Sequence, residues 1–322
     1  MNAAVLGEWS RFLVAGAIAA FIVAWLAYCA ETAQRVRAAR AGTSRIREPV
    51  AVGPVDTSIG GVEREPDPND RGRSTDQMAG IGYSVGVLAT LLLGAGVVLR
   101  ALSVSRPPWG NMYEFSITAS LVASIAFLAM AKTRVGRSLA IWVLLVVFTT
   151  LSLAVTVLYL PPGPLVPALR SYWLAVHVGA AVLAFGLFTV SAVVSALQIV
   201  AERGEKRSSV GAFTASLPSS ATLDRLAYRL IAIAFPIWTV GPLILGAIWA
   251  EASWGRYWGW DPKEVWALVT WLAYAAFLHA RATAGWKGTK ASAVSLIAYG
   301  TVLFSYFGVN IVFAGLHSYG GL

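Results

Sequence analysis

The sequence predicts an all-α integral membrane protein, a polytopic bundle of about eight transmembrane helices. Three observations support this class. Of 322 residues, 57% are hydrophobic and only 13% are charged, whereas a soluble domain carries about 25% charged residues. Apolar stretches of about 20 residues, the length that crosses a bilayer, recur along almost the whole chain. Lysine and arginine are concentrated in alternate connecting segments, which is typical of multi-pass membrane proteins.

Eight apolar stretches are long enough to be candidate spans. The first is preceded by one arginine and followed by several, which is the reverse of a secretory signal. We therefore expect it to be a retained helix, and the even number of spans places both termini on the same side. The candidate spans are residues 12–29, 80–102, 114–131, 139–158, 172–200, 226–249, 265–281 and 291–314.

The distribution of lysine and arginine predicts the orientation in the membrane. Segments 30–79, 132–138, 201–225 and 281–290 hold 18 of the 25 lysine and arginine residues, and the alternate segments hold six. Because connectors rich in these residues stay in the cytoplasm, we expect both termini to face outward. Basic residues scattered through short connectors form no single surface, so we expect no nucleic-acid partner.

The chain divides into three predicted parts. Residues 1–30 form an N-terminal transmembrane helix, residues 31–79 a basic cytoplasmic linker, and residues 80–322 the remaining membrane domain. Most of the linker is rich in Pro, Gly, Asp, Glu and Arg and poor in aromatic residues, which predicts disorder. Cys29 is the only cysteine, so any thiol chemistry must come from a partner.

The connector between the sixth and seventh spans, which we call the tryptophan loop, carries the strongest functional signal. It reads Trp254-Gly255-Arg256-Tyr257-Trp258-Gly259-Trp260-Asp261-Pro262-Lys263-Glu264. Trp and Tyr gather at membrane interfaces, but a simple aromatic belt needs no glycines between its rings. Glycines permit special backbone angles and the close approach of a flat ligand. We therefore favour a platform for a planar ligand over a belt, formed by Trp254, Gly255, Tyr257, Trp258, Gly259, Trp260 and Asp261.

The three histidines lie in or beside predicted spans, where ionisable side chains are usually functional. His177 lies near the outer end of the fifth span and His317 follows the eighth, so both flank the tryptophan loop by depth. Two imidazoles beside an aromatic platform suggest axial ligands of haem. Copper or zinc would also suit them, but neither ion needs the tryptophans. His279 lies roughly 20 Å deeper at 1.5 Å per residue, which indicates a second, inner site.

Charged residues of the tryptophan loop have two predicted roles. Asp261 followed by Pro262 is typical of a helix start, so we expect Asp261 to cap the seventh helix. Arg256 and Lys263 could pair with the haem propionates, although membrane topology alone also explains them. No activated nucleophile lies near in sequence, so we expect no catalytic residue beyond those that position haem.

The segment from Trp254 to Glu264 resembles the tryptophan-rich WWD signature of the cytochrome c assembly family, in its CcsA/ResC branch of System II. The stretch from Pro107 to Glu114 is also similar to that branch, and the resemblance covers about residues 80–322. It implies a protein of the bacterial cytoplasmic membrane that presents haem b on the extracytoplasmic side to apocytochrome c. By position, the resemblance implies that His177 and His317 are the outer axial ligands and that His279 is the inner haem ligand.

The resemblance further implies one subunit of a cytochrome c haem lyase, or holocytochrome c synthase, which joins haem to a Cys-x-x-Cys-His segment through thioether bonds. The expected partners are a CcsB/ResB-type membrane protein, the apocytochrome and thiol-reducing proteins. Two alternatives stay open: a haem transporter or chaperone that forms no bonds, and a membrane b-type cytochrome. The inner depth offers only His279, so either the partner supplies a second ligand or the inner iron is five-coordinate.

Overall fold

The regular structure of the described residues is entirely helical, as predicted. The computed structural model describes residues 2–45, 68–164, 169–207 and 211–317. The helices are α1 (Ala3–Arg45), α2 (Pro68–Val104), α3 (Met112–Met130), α4 (Arg134–Thr156), α5 (Tyr172–Glu205), α6 (Ala212–Ser216), α7 (Ser220–Trp238), α8 (Gly246–Trp254), α9 (Pro262–Thr283), α10 (Gly288–Leu303) and α11 (Val309–Val312). Within this part of the chain, eight helical segments are long and apolar enough to cross a membrane, which confirms the predicted multi-pass fold.

Two spans are interrupted by a π-helical segment instead of running as plain α-helix. The first π segment, Thr239–Leu245, joins α7 to α8, and the second, Phe304–Gly308, joins α10 to α11. The first contains Pro242, which has no backbone N–H to donate to the preceding turn. A π segment adds a residue to a helical turn and often lies at a functional site. We therefore expect a functional site in the space between the two π segments.

The first helix is longer than the predicted span, and part of the predicted linker is helical. Helix α1 reaches Arg45 and α2 begins at Pro68, so the predicted linker at residues 31–79 is helical at both ends. Residues 30–41 are mainly Ala, Arg, Glu and Gln, which favour helix strongly, so the helix continues past its apolar stretch. The middle of the predicted linker, residues 46–67, lies outside the described residues.

Helix α5 is the central helix of the bundle and its most buried span. It packs against α3, α7 and α10. Hydroxyl pairs join neighbouring helices inside the apolar interior, as in other membrane bundles. These pairs are Thr189 with Tyr299 at 3.0 Å, Ser195 with Ser295 at 3.1 Å, and Thr301 with Thr270 at 3.1 Å.

Alternate connectors meet at one end of the bundle, which we call the loop end. It comprises residues 105–111, 157–164, 255–261 and 313–317. Arg100 donates to the carbonyl of Leu160 at 2.9 Å, and the backbone N–H of Leu316 donates to Asp261 at 2.6 Å. The tryptophan loop and the segment after the eighth span therefore lie together. That the loop end faces outward stays a prediction from the lysine and arginine distribution.

Candidate functional site

A large cavity opens at the loop end, between the two π segments. It holds about 1150 Å³ of space not filled by protein atoms, a volume that includes open solvent at its mouth. Its walls come from the segment before α3, from α5, α8, α9 and the second π segment, and from the tryptophan loop. Both predicted outer ligands, His177 and His317, line this one cavity, although 140 residues of sequence separate them.

His177 is held in one orientation by the first π segment. Its Nδ1 lies 3.1 Å from the carbonyl oxygen of Gly241. Because a carbonyl only accepts, Nδ1 carries the proton and Nε2 keeps its lone pair, which is the tautomer that a metal requires. Gly246 makes room for the ring, since a Cβ there would lie 2.9 Å from the imidazole Cε1.

His317 is oriented by a carboxylate in the same way. Its Nδ1 lies 2.7 Å from Oδ1 of Asp261. Burial works to raise the pKa of the Asp261 carboxyl, but hydrogen bonds from His317 and from the backbone of Lys263 and Leu316 outweigh it and lower this pKa. The ionised carboxylate accepts a hydrogen bond from Nδ1–H, so a metal bound to His317 would have to use Nε2. A carboxylate behind a histidine ligand is the usual arrangement at metal sites.

Asp261 also caps α9, which confirms the predicted N-cap. Its Oδ1 accepts from the backbone N–H of Lys263 at 3.0 Å, and Pro262 occupies the first helical position. Glu264 completes a capping box by accepting from the backbone N–H groups of Gly259 and Asp261 at 2.8 and 3.1 Å. The Asp261 carboxylate thus fixes a histidine and the start of a helix, and the Glu264 carboxylate fixes the end of the tryptophan loop.

Trp249 connects the two histidines and was absent from the predicted platform. Its ring lies parallel to the His177 ring at a centroid distance of 5.7 Å and lies 5.4 Å from the His317 ring. Trp254 packs against Trp249 and His317 at 4.6 and 5.0 Å. Trp249 is only 1% exposed, so its ring is a fixed, buried surface against which both imidazoles pack. In the sequence, the only indication of this role is that Trp249 is an aromatic residue five positions before the loop, in the helix that leads into the loop.

The tryptophan loop contributes unequally to the cavity. Tyr257 and Trp258 line it, whereas Trp260 is 70% exposed and lies outside its lining. Gly255 has φ of +71°, a left-handed angle that ends α8 and suits glycine. Trp260 also has a positive φ, +57°. The structure thus separates the predicted platform into cavity-facing and outward-facing rings.

The two predicted propionate contacts differ in position. Lys263 lines the cavity, and its Nζ lies 2.7 Å from Oδ1 of Asn310. Arg256 is exposed and outside the lining, and its guanidinium lies against Gly259. The structure therefore favours Lys263 over Arg256 as a contact for a ligand in the cavity.

Glu114 holds the segment that forms one wall of the cavity, a role that sequence reasoning missed. Its carboxylate is fully buried and accepts from Arg100, Arg106 and the backbone N–H of Gly110 at 2.7 to 2.9 Å. Asn111 caps α3 by accepting from the Glu114 backbone N–H at 2.9 Å. The sequence indicated this role by placing three ionisable residues, Arg100, Arg106 and Glu114, at the ends of apolar spans. Charge is costly there unless it is paired.

His279 lies apart from the cavity, near the other end of α9. Its side chain is exposed on the surface of the bundle and is absent from the cavity lining. The structure therefore brings together His177, His317 and part of the tryptophan loop, but not His279. In the described residues, no three His, Cys, Asp or Glu side chains converge on a metal site.

Comparisons with known proteins agree with these features. The family model described as "Cytochrome C assembly protein" matches residues 109–317. Two similar relatives are both named "Cytochrome c biogenesis protein CcsA". The one from Synechococcus sp. (strain CC9902) is 35% identical over 280 residues, covering 77% of this chain and 89% of the relative. The one from Guillardia theta is 36% identical over 263 residues, covering 75% and 86%.

A solved structure titled "Cytochrome c Heme Lyase CcmF" is similar in fold. The superposition has a TM-score of 0.58 at 16% sequence identity and covers 95% of this chain. It covers only 47% of that protein, so the chain spans about half the length of this structural relative. At this level of identity the likeness concerns the arrangement of helices.

Proposed function

The chain belongs to the cytochrome c assembly protein family, whose members handle haem in cytochrome c biogenesis, and we propose that it presents haem to apocytochrome c from the cavity at the loop end. The substrate is haem b, bound through Nε2 of His177 and Nε2 of His317. The observation that carries this proposal is the matched orientation of the two imidazoles. Each Nδ1 faces an oxygen acceptor, at 3.1 and 2.7 Å, and both rings line one cavity.

The surrounding residues support haem over a smaller ligand. Trp258 and Tyr257 line the cavity with broad flat rings, and large aromatic rings bury planar ligands at low entropic cost. Most of the remaining lining is apolar, which suits the porphyrin edge. The protein's own contribution is to bind and orient haem and to exclude water from its faces.

The second part of the proposal concerns how the thioether bonds between haem and the apocytochrome form. A cysteine S–H of the apocytochrome adds across a haem vinyl double bond, so that sulfur bonds to one carbon and hydrogen to the other. No group of the protein is consumed, and holding the two reactants together can supply much of the rate. We propose that this step is carried out with a CcsB/ResB-type partner and with thiol-reducing proteins that keep the cysteines reduced.

The inner site is proposed as the entry point for haem. His279 is exposed on α9 near the lysine- and arginine-rich connectors, which we place on the cytoplasmic side by the positive-inside rule. Because the His279 side chain faces outward from the bundle, His279 and a residue of a neighbouring protein can bind the same haem. We therefore expect the second axial ligand of the inner haem to come from the partner.

Co-expression with an apocytochrome c reporter tests the proposed function. The chain and its CcsB-type partner are expressed together and separately, and covalent haem is stained on the reporter after denaturing electrophoresis. We expect covalent haem with the parent pair, a loss in the His177→Ala/His317→Ala double variant, and partial recovery with added imidazole. Immunoblotting shows that the variant reaches the membrane. Full maturation by the double variant would refute haem presentation by these residues.

A further inference from the structure

Lys263 brings a positive charge into the cavity and is not held there by a salt bridge in the described part of the protein. Its Nζ lies 2.7 Å from Oδ1 of Asn310, a neutral amide, and it makes no ion pair with any side chain in the described part of the protein. The nearby carboxylate of Asp261 is committed to His317 and to two backbone N–H groups. A cation in largely apolar surroundings is costly unless an anion joins it.

Asn310 fixes the direction of the lysine. Its Nδ2 donates to the carbonyl of Tyr306 at 2.7 Å, so its amide oxygen is the end that faces Lys263. An ammonium group has three N–H donors, and Asn310 uses one of them. Lys263 therefore retains hydrogen-bonding capacity for a further acceptor, and both residues line the cavity.

We propose that Lys263 and Asn310 form a carboxylate-binding subsite that takes one propionate of the bound haem. The proposal rests on the proposed function, because it names the part of the same ligand that this wall receives. Propionates and vinyl groups lie on opposite edges of haem b. Anchoring a propionate at the start of α9 directs the vinyl edge toward the apolar remainder of the lining.

Neighbouring charges do not serve the same purpose. Arg256 is exposed and packs against Gly259 outside the lining. Glu264 lines the cavity, but its Oε2 accepts from the backbone of Gly259 and Asp261 and so stabilises the loop. Of the charged side chains that line the cavity, Lys263 is the one that can attract a carboxylate.

Comparing haem with its dimethyl ester isolates this contact. The full-length protein is purified in detergent from haem-deficient cells and titrated, by Soret absorbance, with iron protoporphyrin IX and with iron protoporphyrin IX dimethyl ester. The ester keeps the iron and the ring but has no negative charge. The variants are Lys263→Met, Lys263→Arg and Asn310→Asp, with Arg256→Met as the matched control for a lost cation in the same loop.

We expect Lys263→Met to bind haem about 10- to 100-fold more weakly, the usual effect of one hydrogen bond to a charged group, and to bind the ester like the parent. Lys263→Arg should retain most of the haem affinity. Asn310→Asp supplies the lysine with an internal carboxylate, so it should also weaken haem binding and spare the ester. Arg256→Met should match the parent with both ligands.

Two results would overturn the subsite. Lys263→Met could bind haem as tightly as the parent, or it could lose haem and ester in equal measure, which would indicate a structural role. Failure of the parent to bind either ligand would instead contradict the proposed function, so the two failures are distinguishable.

Discussion

Asp261 and His317 are joined by a hydrogen bond of 2.7 Å between a carboxylate that caps α9 and an imidazole beyond the last helix. This pair makes the position of a predicted haem ligand depend on the tryptophan loop itself. Movement of the tryptophan loop and movement of His317 are therefore coupled through the Asp261 side chain.

Asp261→Asn should separate orientation of the histidine from capping of the helix. Asn caps helices about as well as Asp, but it lacks the charge that holds Nδ1 of His317. We expect haem affinity to fall roughly 10- to 100-fold, as is usual when the carboxylate behind a histidine ligand is lost. Asp261→Ala also removes the cap and should lower the apparent Tm further. Soret titration and thermal unfolding measure the two effects, and unchanged haem affinity in Asp261→Asn would contradict the orienting role.

The stability that Asp261 contributes should depend on pH in a defined direction. The pKa of this carboxyl lies below its ordinary value, which is about 3.9. Its contribution is therefore complete above that ordinary value and is lost as pH falls through the lower folded-state pKa. The difference in apparent Tm between parent and Asp261→Asn should shrink as pH falls below about pH 4. A difference that vanishes near pH 6 would point to another titrating group.

Trp258 and Trp260 should differ in their effect on haem. Trp258 lines the cavity and Trp260 is 70% exposed. Losing one aromatic contact with a stacked ring costs about 1–3 kcal/mol by analogy with base stacking, so Trp258→Ala should release haem more readily. Trp260→Ala should change haem affinity by less than about 0.5 kcal/mol, as exposed substitutions usually do. The amount of haem that each variant retains during gel filtration compares the two effects. Equal losses of haem would indicate that both rings belong to the haem platform.

Gly246 should be required because the His177 ring occupies the space beside it. A Cβ at Gly246 would lie 2.9 Å from Cε1 and 3.0 Å from Nδ1 of His177, so alanine must displace the imidazole. Gly300 is the matched control, since a Cβ there meets no atom within 4 Å. We expect Gly246→Ala to lower haem affinity and Gly300→Ala to leave it unchanged, as measured by Soret titration. Similar haem affinity in both variants would show that the position of the His177 ring is not critical.

Sequence patterns predicted the features that depend on local physics. Apolar length determined the eight spans, and Asp261 with Pro262 identified the start of α9, because span length and capping depend on neighbouring residues. The depth argument also predicted that His177 and His317 lie at the same end of the bundle as the tryptophan loop. The fifth span and the end of the chain reach that end by simple alternation of helices.

Contacts between distant segments could not be predicted in this way. The bonds from His177 to Gly241 and from His317 to Asp261 depend on how α5 and the final segment pack, and no spacing in the sequence encodes them. Trp260 has a positive φ that tryptophan rarely adopts, and no pattern in the sequence indicates that its ring lies outside the cavity. The extension of α1 beyond its apolar stretch depends on helix propensity, which composition-based assignment of a linker overlooks.

The axial ligation of haem in the purified protein tests the central proposal most directly. Haem-loaded parent, His177→Gly and His317→Gly are compared by optical and electron paramagnetic resonance spectroscopy, with and without added imidazole. We predict a low-spin spectrum with two imidazole ligands in the parent, a high-spin five-coordinate spectrum in each variant, and return of the low-spin spectrum when imidazole fills the emptied position. Parent-like low-spin spectra in both variants without imidazole would contradict the assignment of His177 and His317 as the haem ligands.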